Sequence, residues 1–137
     1  MVGCRRHGLP AVPREGDTPA LHGYVSQVEF VDAAGLEIAY ERVGAGPLLV
    51  LVHGAAEDGR TWQRQLAVLA DEFTVVAWDE PGAGRACDLP EGMTLAGFAD
   101  GLAALVGSLH LGPARVAGLS WGGTVALEMY RRHPGLV

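Results

Sequence analysis

Gly118-Leu119-Ser120-Trp121-Gly122 sets a serine between two glycines. The residues before it, Arg115 to Leu119, are apolar enough for a buried strand. The residues after it, Trp121 to Arg132, carry the apolar spacing of a helix, and Pro134 stops that helix. A bare G-x-S-x-G occurs often by chance, so the context supplies the meaning. On a turn from strand to helix, flanking glycines leave space for a bend so tight that the serine hydroxyl projects from it. The N-terminal N–H groups of the following helix point at the same place and favour negative charge there. The competing reading is a serine that merely caps a helix, a position this residue favours.

Upstream, strands and helices alternate. Val25, Val28, Phe30 and Val31 suggest a first strand, and Asp32-Ala33-Ala34-Gly35 a turn. Leu36 to Arg42 alternate, with Leu36, Ile38 and Tyr40 on one face, which makes a half-buried partner strand and an antiparallel hairpin. Leu48 to Val52 are continuously apolar, as in a strand covered on both faces. Trp62, Leu66 and Leu69 recur at helical spacing, with Asp58 or Thr61 as the cap. Phe73 to Trp78 predict another strand, and Asp79 to Gly84 a sharp turn. Thr94 to Leu109 predict a helix that turns Leu95, Phe98, Leu102, Leu105 and Val106 inward, although it contains three glycines.

This order predicts an α/β fold: a mostly parallel sheet with an N-terminal antiparallel hairpin and helices on both faces. Ligands in such sheets bind beyond the carboxyl ends of the strands. His53, Asp79 and Ser120 all fall at such ends. Residues 1–22 are rich in Gly and Pro and read as a flexible extension; residues 23–137 form the domain.

The chain has 137 residues, 49% of them apolar, enough for one domain with a core. Its net charge of −6 argues against nucleic acid or an anionic membrane as partner. All ten basic residues are arginine. The absence of lysine excludes a P-loop, Schiff-base chemistry and Ser-Lys dyads. Cys4 and Cys87 show no ligand spacing and read as incidental, and the histidines show none either, so no metal is expected. Neither end holds a membrane-length apolar run, which makes cytoplasmic the default. Gly82-Ala83-Gly84 lacks the third glycine of a dinucleotide loop.

Residues 24–137 resemble the N-terminal half of an α/β-hydrolase-fold protein. The pieces that match, in order, are Leu48 to Gly54, Trp62, Asp79 to Gly84, and Gly118 to Gly123. The resemblance implies that Ser120 is a nucleophile on a nucleophile elbow. It implies that the backbone N–H groups of Trp121 and Ala55 form the oxyanion hole, and that His53, Gly54 and Trp121 lie beside the substrate. The turn at Asp79 reads as structural, and Ala86 stands where the family commonly has serine. The implied function is hydrolysis of a small-molecule carboxylic ester, lactone, thioester or amide, without a cofactor. A serine here argues against dehalogenase or epoxide-hydrolase chemistry. Two alternatives stay open: an inactive fragment or non-catalytic binding module, and an acyltransferase on the same fold.

A serine nucleophile needs a base and an acid that orients it. The family supplies them after the serine, acid first and histidine second. Here the acid after Ser120 is Glu128 and the histidine is His133. Glu128 lies two turns along the helix, roughly 12 Å from its start, and His133 lies farther still. His53 belongs to the oxyanion turn rather than to the base. The chain therefore reads as an incomplete α/β-hydrolase fold, truncated before its acid and base. The Ser120 strand is expected to form an exposed sheet edge open to self-association.

Overall fold

A computed structural model describes residues 26–137. The expected extension, residues 1–22, and Val25 of the first expected strand lie outside the described residues.

Five strands form one mixed sheet: β1 (Gln27–Ala33), β2 (Leu36–Val43), β3 (Leu48–Val52), β4 (Thr74–Asp79) and β5 (Arg115–Gly118). Their order across the sheet is β1-β2-β4-β3-β5. β1 pairs antiparallel with β2, and β2 antiparallel with β4. β3 runs parallel to both β4 and β5, so the parallel part lies around the candidate site. The hairpin turn closes on Ala34 and Gly35, both at positive φ (57° and 79°), the geometry that fits a two-residue loop to the twist of paired strands. The Asp32 carboxylate accepts from the Gly35 N–H at 3.0 Å.

The three helices are α1 (Gln63–Leu69), α2 (Leu95–Leu109) and α3 (Trp121–Arg132). β3 shows why its run is continuously apolar. Leu48, Val50 and Val52 enter the core under α2 and α3, while Leu51 enters the core under α1. β4 divides the same way, with Val76 and Trp78 on one side and Val75 and Ala77 on the other. Burying each such side chain stabilises the fold by about 1.5–3 kcal/mol. α2 runs unbroken despite its glycines. Thr94 caps it, accepting from the Gly97 N–H, and Phe98, Leu102, Leu105 and Val106 are buried. Neither Asp58 nor Thr61 caps α1, whose N-cap is Trp62 with no side-chain cap; Asp58 acts one turn earlier. It accepts from Arg60 and opens a 3₁₀ turn (Gly59–Trp62) ahead of α1.

Cys87 is buried; the other cysteine of the chain, Cys4, lies outside the described residues. β5 is the outermost strand on its side, and most of it is exposed. Beside it Leu119, Leu127 and Tyr130 are exposed as well, so the sheet ends here on an apolar face. No helix among the described residues is long and apolar enough to cross a membrane.

Candidate functional site

The site is built where β5 hands over to α3. The Leu119 N–H donates to the Val52 carbonyl at 3.0 Å, continuing the pairing with β3. The chain then turns at Ser120, whose φ of 52° and ψ of −113° are rare for a residue with a side chain. Such backbone costs about 1–3 kcal/mol and persists only where the surroundings enforce it. Here they do. A Cβ at Gly118 would strike the Gly122 carbonyl, and one at Gly122 would strike the Val52 carbonyl. The bend therefore exists only with glycine at both positions.

Ser120 occupies the N-cap position of α3, but its hydroxyl makes no capping hydrogen bond. Its carbonyl instead accepts from the N–H groups of Gly123 (2.9 Å) and Thr124 (3.3 Å). An ordinary cap is thus ruled out by geometry, since the hydroxyl is not used to close the helix. The residue is exposed and lines an open groove of about 570 Å³ together with Val116, Thr124, Leu127 and Tyr130. Trp121 is the first residue of α3, a position whose N–H has no acceptor within the helix.

The turn after β3 lies against this bend. A Cβ on Gly54 would touch the Leu119 carbonyl at 3.5 Å. The Gly54 N–H donates to the Glu57 carboxylate at 3.0 Å, and the Glu57 N–H returns to the Gly54 carbonyl at 3.2 Å. Between them Ala55 is exposed, and Ala56 has a positive φ of 61°. The His53 ring is wholly buried. Its Nε2 accepts from the Glu80 N–H at 3.2 Å, so its proton sits on Nδ1, which donates to the Gly54 carbonyl at 2.9 Å. Both ring nitrogens are spent on backbone. His53 is a strut between the turn and the end of β4, with no nitrogen left to meet a ligand.

Glu80 continues that strut. Its carboxylate accepts from the Trp121 indole N–H at 3.0 Å. Burial pushes the Glu80 carboxyl above the usual carboxylate range, and the hydrogen bond from the Trp121 indole pulls it back without cancelling that effect. The Trp121 ring also meets Phe98 edge-on, with centroids 5.6 Å apart.

Asp79 is taken up by the loops that follow β3 and β4. Its buried carboxylate accepts from the Gly59 N–H (2.7 Å), the Arg85 N–H (2.8 Å) and the Arg85 side chain (2.7 Å). Arg85 also reaches Glu41 at 2.7 Å. Burial alone would raise the Glu41 pKa, but hydrogen bonds from Ser26, Arg85 and Gln63 outweigh it and hold the carboxyl below its usual range. The turn is structural, as expected, and Arg85 fastens it.

The acid and histidine that follow Ser120 are engaged elsewhere. Glu128 accepts from Arg131 at 2.7 Å, and His133 pairs with Asp100 on α2 at 2.7 Å. His110 sits at the C-terminal cap of α2. Sequence reading missed three participants: Glu57, Glu80 and the Arg85–Glu41 pair. Glu80 and Trp121 are 41 residues apart, and Arg85 and Glu41 are 44 apart, so no local pattern links them.

A family model described as the alpha/beta hydrolase fold matches residues 47–137. The chain belongs to that family. It is 37% identical over 102 residues to a putative carbamate hydrolase, RutD, of Yersinia enterocolitica. That match covers 74% of this chain and 37% of the relative. Among solved structures, E-2-(acetamidomethylene)succinate hydrolase superposes with a TM-score of 0.78 at 29% identity, covering 82% of this chain and 42% of its own. A thermophilic esterase from Thermogutta terrifontis gives 0.74 at 35% identity, covering 80% and 42%. The chain thus spans less than half the length of each of these proteins.

Proposed function

We propose that the protein is a hydrolase with Ser120 as nucleophile, acting on a small-molecule ester, lactone, thioester or amide. One observation carries the reading: an exposed serine held at positive φ between two glycines that admit no side chain, beside the Gly54 turn. The family's hydrolase members support it. Ser120 Oγ attacks the carbonyl carbon, and the oxyanion that forms accepts from the N–H groups of Trp121 and Ala55. Collapse of the tetrahedral intermediate breaks the bond to the leaving group and leaves an acyl-serine, which water then cleaves. The base that takes the hydroxyl proton and the acid that orients it are not Glu128, His133 or His53, all of which are bonded elsewhere. His53 and Gly54 contribute through backbone and position, since the His53 ring is buried and the Gly54 N–H is held by Glu57.

The test uses an alkylphosphonate probe and an activated short-chain ester on the wild-type chain and on Ser120→Ala. Phosphonylation of Ser120 that vanishes in the variant supports the reading, and ester turnover that vanishes with it shows that a base is within reach. Equal background in both variants overturns it in favour of a non-catalytic module. Acyl transfer to added alcohols or amines in preference to water would make the protein a transferase at the same serine.

A further inference from the structure

We propose that Glu80 is a positioning residue of this site, holding the elbow and the oxyanion turn in register. The inference rests on the reading of Ser120 above. It starts from the fact that Glu80 is bonded at both of its ends. Its backbone N–H donates to His53 Nε2 at 3.2 Å, and His53 Nδ1 in turn donates to the Gly54 carbonyl at 2.9 Å, immediately before Ala55. Its carboxylate accepts from the Trp121 indole at 3.0 Å, on the residue immediately after Ser120. One residue at the end of β4 thereby grips both segments whose N–H groups face the oxyanion. Of its surface, 8% is exposed; the bond to His53 is buried, and the one to Trp121 is partly shielded from water.

The bond to Trp121 has a directional role. Phe98 meets the indole edge-on from α2 and limits its tilt. Glu80 fixes the rotation that remains, which determines where the Trp121 ring stands beside Ser120. The charged and titratable groups next to Glu80 are His53, at the end of β3, and its own neighbour Asp79, whose carboxylate is turned to Gly59 and Arg85. An ionised Glu80 accepts the indole N–H more strongly than a protonated one. The Trp121 indole therefore reports the charge on Glu80.

The experiment follows the indole N–H signals of the full chain by nitrogen-15 NMR from neutral to acidic pH. The three tryptophans give one signal each, and Trp121→Phe assigns the one of interest. The Trp121 signal is expected to move along a single titration centred above the ordinary glutamate value of about 4.3. In Glu80→Gln, which keeps the size and the backbone N–H, that movement is expected to disappear. The backbone amide signals of both Trp121 and Ala55 are expected to shift in the same variant. A Trp121 signal indifferent to pH, or a titration that survives in Glu80→Gln, overturns the proposal. So does a variant in which only one of the two amides shifts. The readout needs no turnover, so it fails separately from the phosphonate test of Ser120.

Discussion

The α-carbon of Gly122 rests so close to the carbonyl of Val52 that a Cβ there would overlap it. The contact seats the first turn of α3 on the end of β3, and it is what brings Ser120 beside the Gly54 turn. Its neighbour Gly123 is different, because a Cβ there would meet the Gly118 carbonyl at 3.5 Å, an ordinary contact. Gly122→Ala is therefore expected to destabilise the chain by about 1–3 kcal/mol, the usual cost of overpacking. Gly123→Ala is expected to be neutral or slightly stabilising, since alanine favours helix. Thermal unfolding of the two variants side by side checks this, and equal melting temperatures would refute it.

Arg85 neutralises two buried carboxylates, Asp79 and Glu41, at 2.7 Å each. Removing one partner of a buried ion pair typically costs about 3–5 kcal/mol, because the remaining charges stay buried without compensation. Arg85→Ala is expected to fall in that range. Arg85→Lys is expected to recover only part of the loss, since an ammonium cannot span both acids as the guanidinium fork does. The Glu41 pKa is lowered in the fold, so its contribution is present above the ordinary glutamate value and is lost as pH falls below it. Denaturant unfolding across the acid range should show wild-type stability declining there, with a flatter profile in Arg85→Ala.

Asp100 joins α2 to the end of α3. Hydrogen bonds from Arg132 and His133 pull its carboxyl down to about 2. Because the folded value is depressed, the stability it contributes is present above about pH 4, the unfolded reference, and is lost as pH falls through about 2. The group is largely open to solvent, so the contribution is screened and worth at most about 1 kcal/mol. Asp100→Asn should cost that little at pH 7, and the difference should vanish in high salt. A loss that persists in high salt would show that the contact acts through packing instead.

The elements were legible because their causes are local. Leu48 to Val52 reads as a strand buried on both faces, and the structure sends Val50 and Leu51 to opposite cores. Thr94 before an apolar period marks the start of α2, and Pro134 marks where α3 gives way to a 3₁₀ turn. The elbow was legible because two glycines are sterically compulsory there. The links between elements were not. The Glu80 carboxylate could face solvent or protein on sequence grounds, and only the seating of α3 against the end of β3 brings Trp121 to it. His53 misled in a similar way. Its place at a strand end suggests contact with a ligand, yet the turn that follows encloses the ring and uses both nitrogens.

Ser120 itself carries strain that should be measurable. At φ 52° a Cβ is disfavoured whatever its substituents, so alanine gains no relief over serine. Glycine adopts this backbone without steric cost, although it raises the entropy of the unfolded chain by an amount worth roughly 0.5–1 kcal/mol. Against a strain of about 1–3 kcal/mol, the balance favours glycine by up to about 2 kcal/mol. Ser120→Ala is thus expected to match wild type within about 0.5 kcal/mol, while Ser120→Gly unfolds at higher denaturant and takes up no phosphonate. That pairing of gained stability with lost labelling would mean the strained bend is kept for its chemistry. Should Ser120→Gly prove no more stable than Ser120→Ala, the bend carries no strain, and the structural argument for a specially held serine loses its energetic basis.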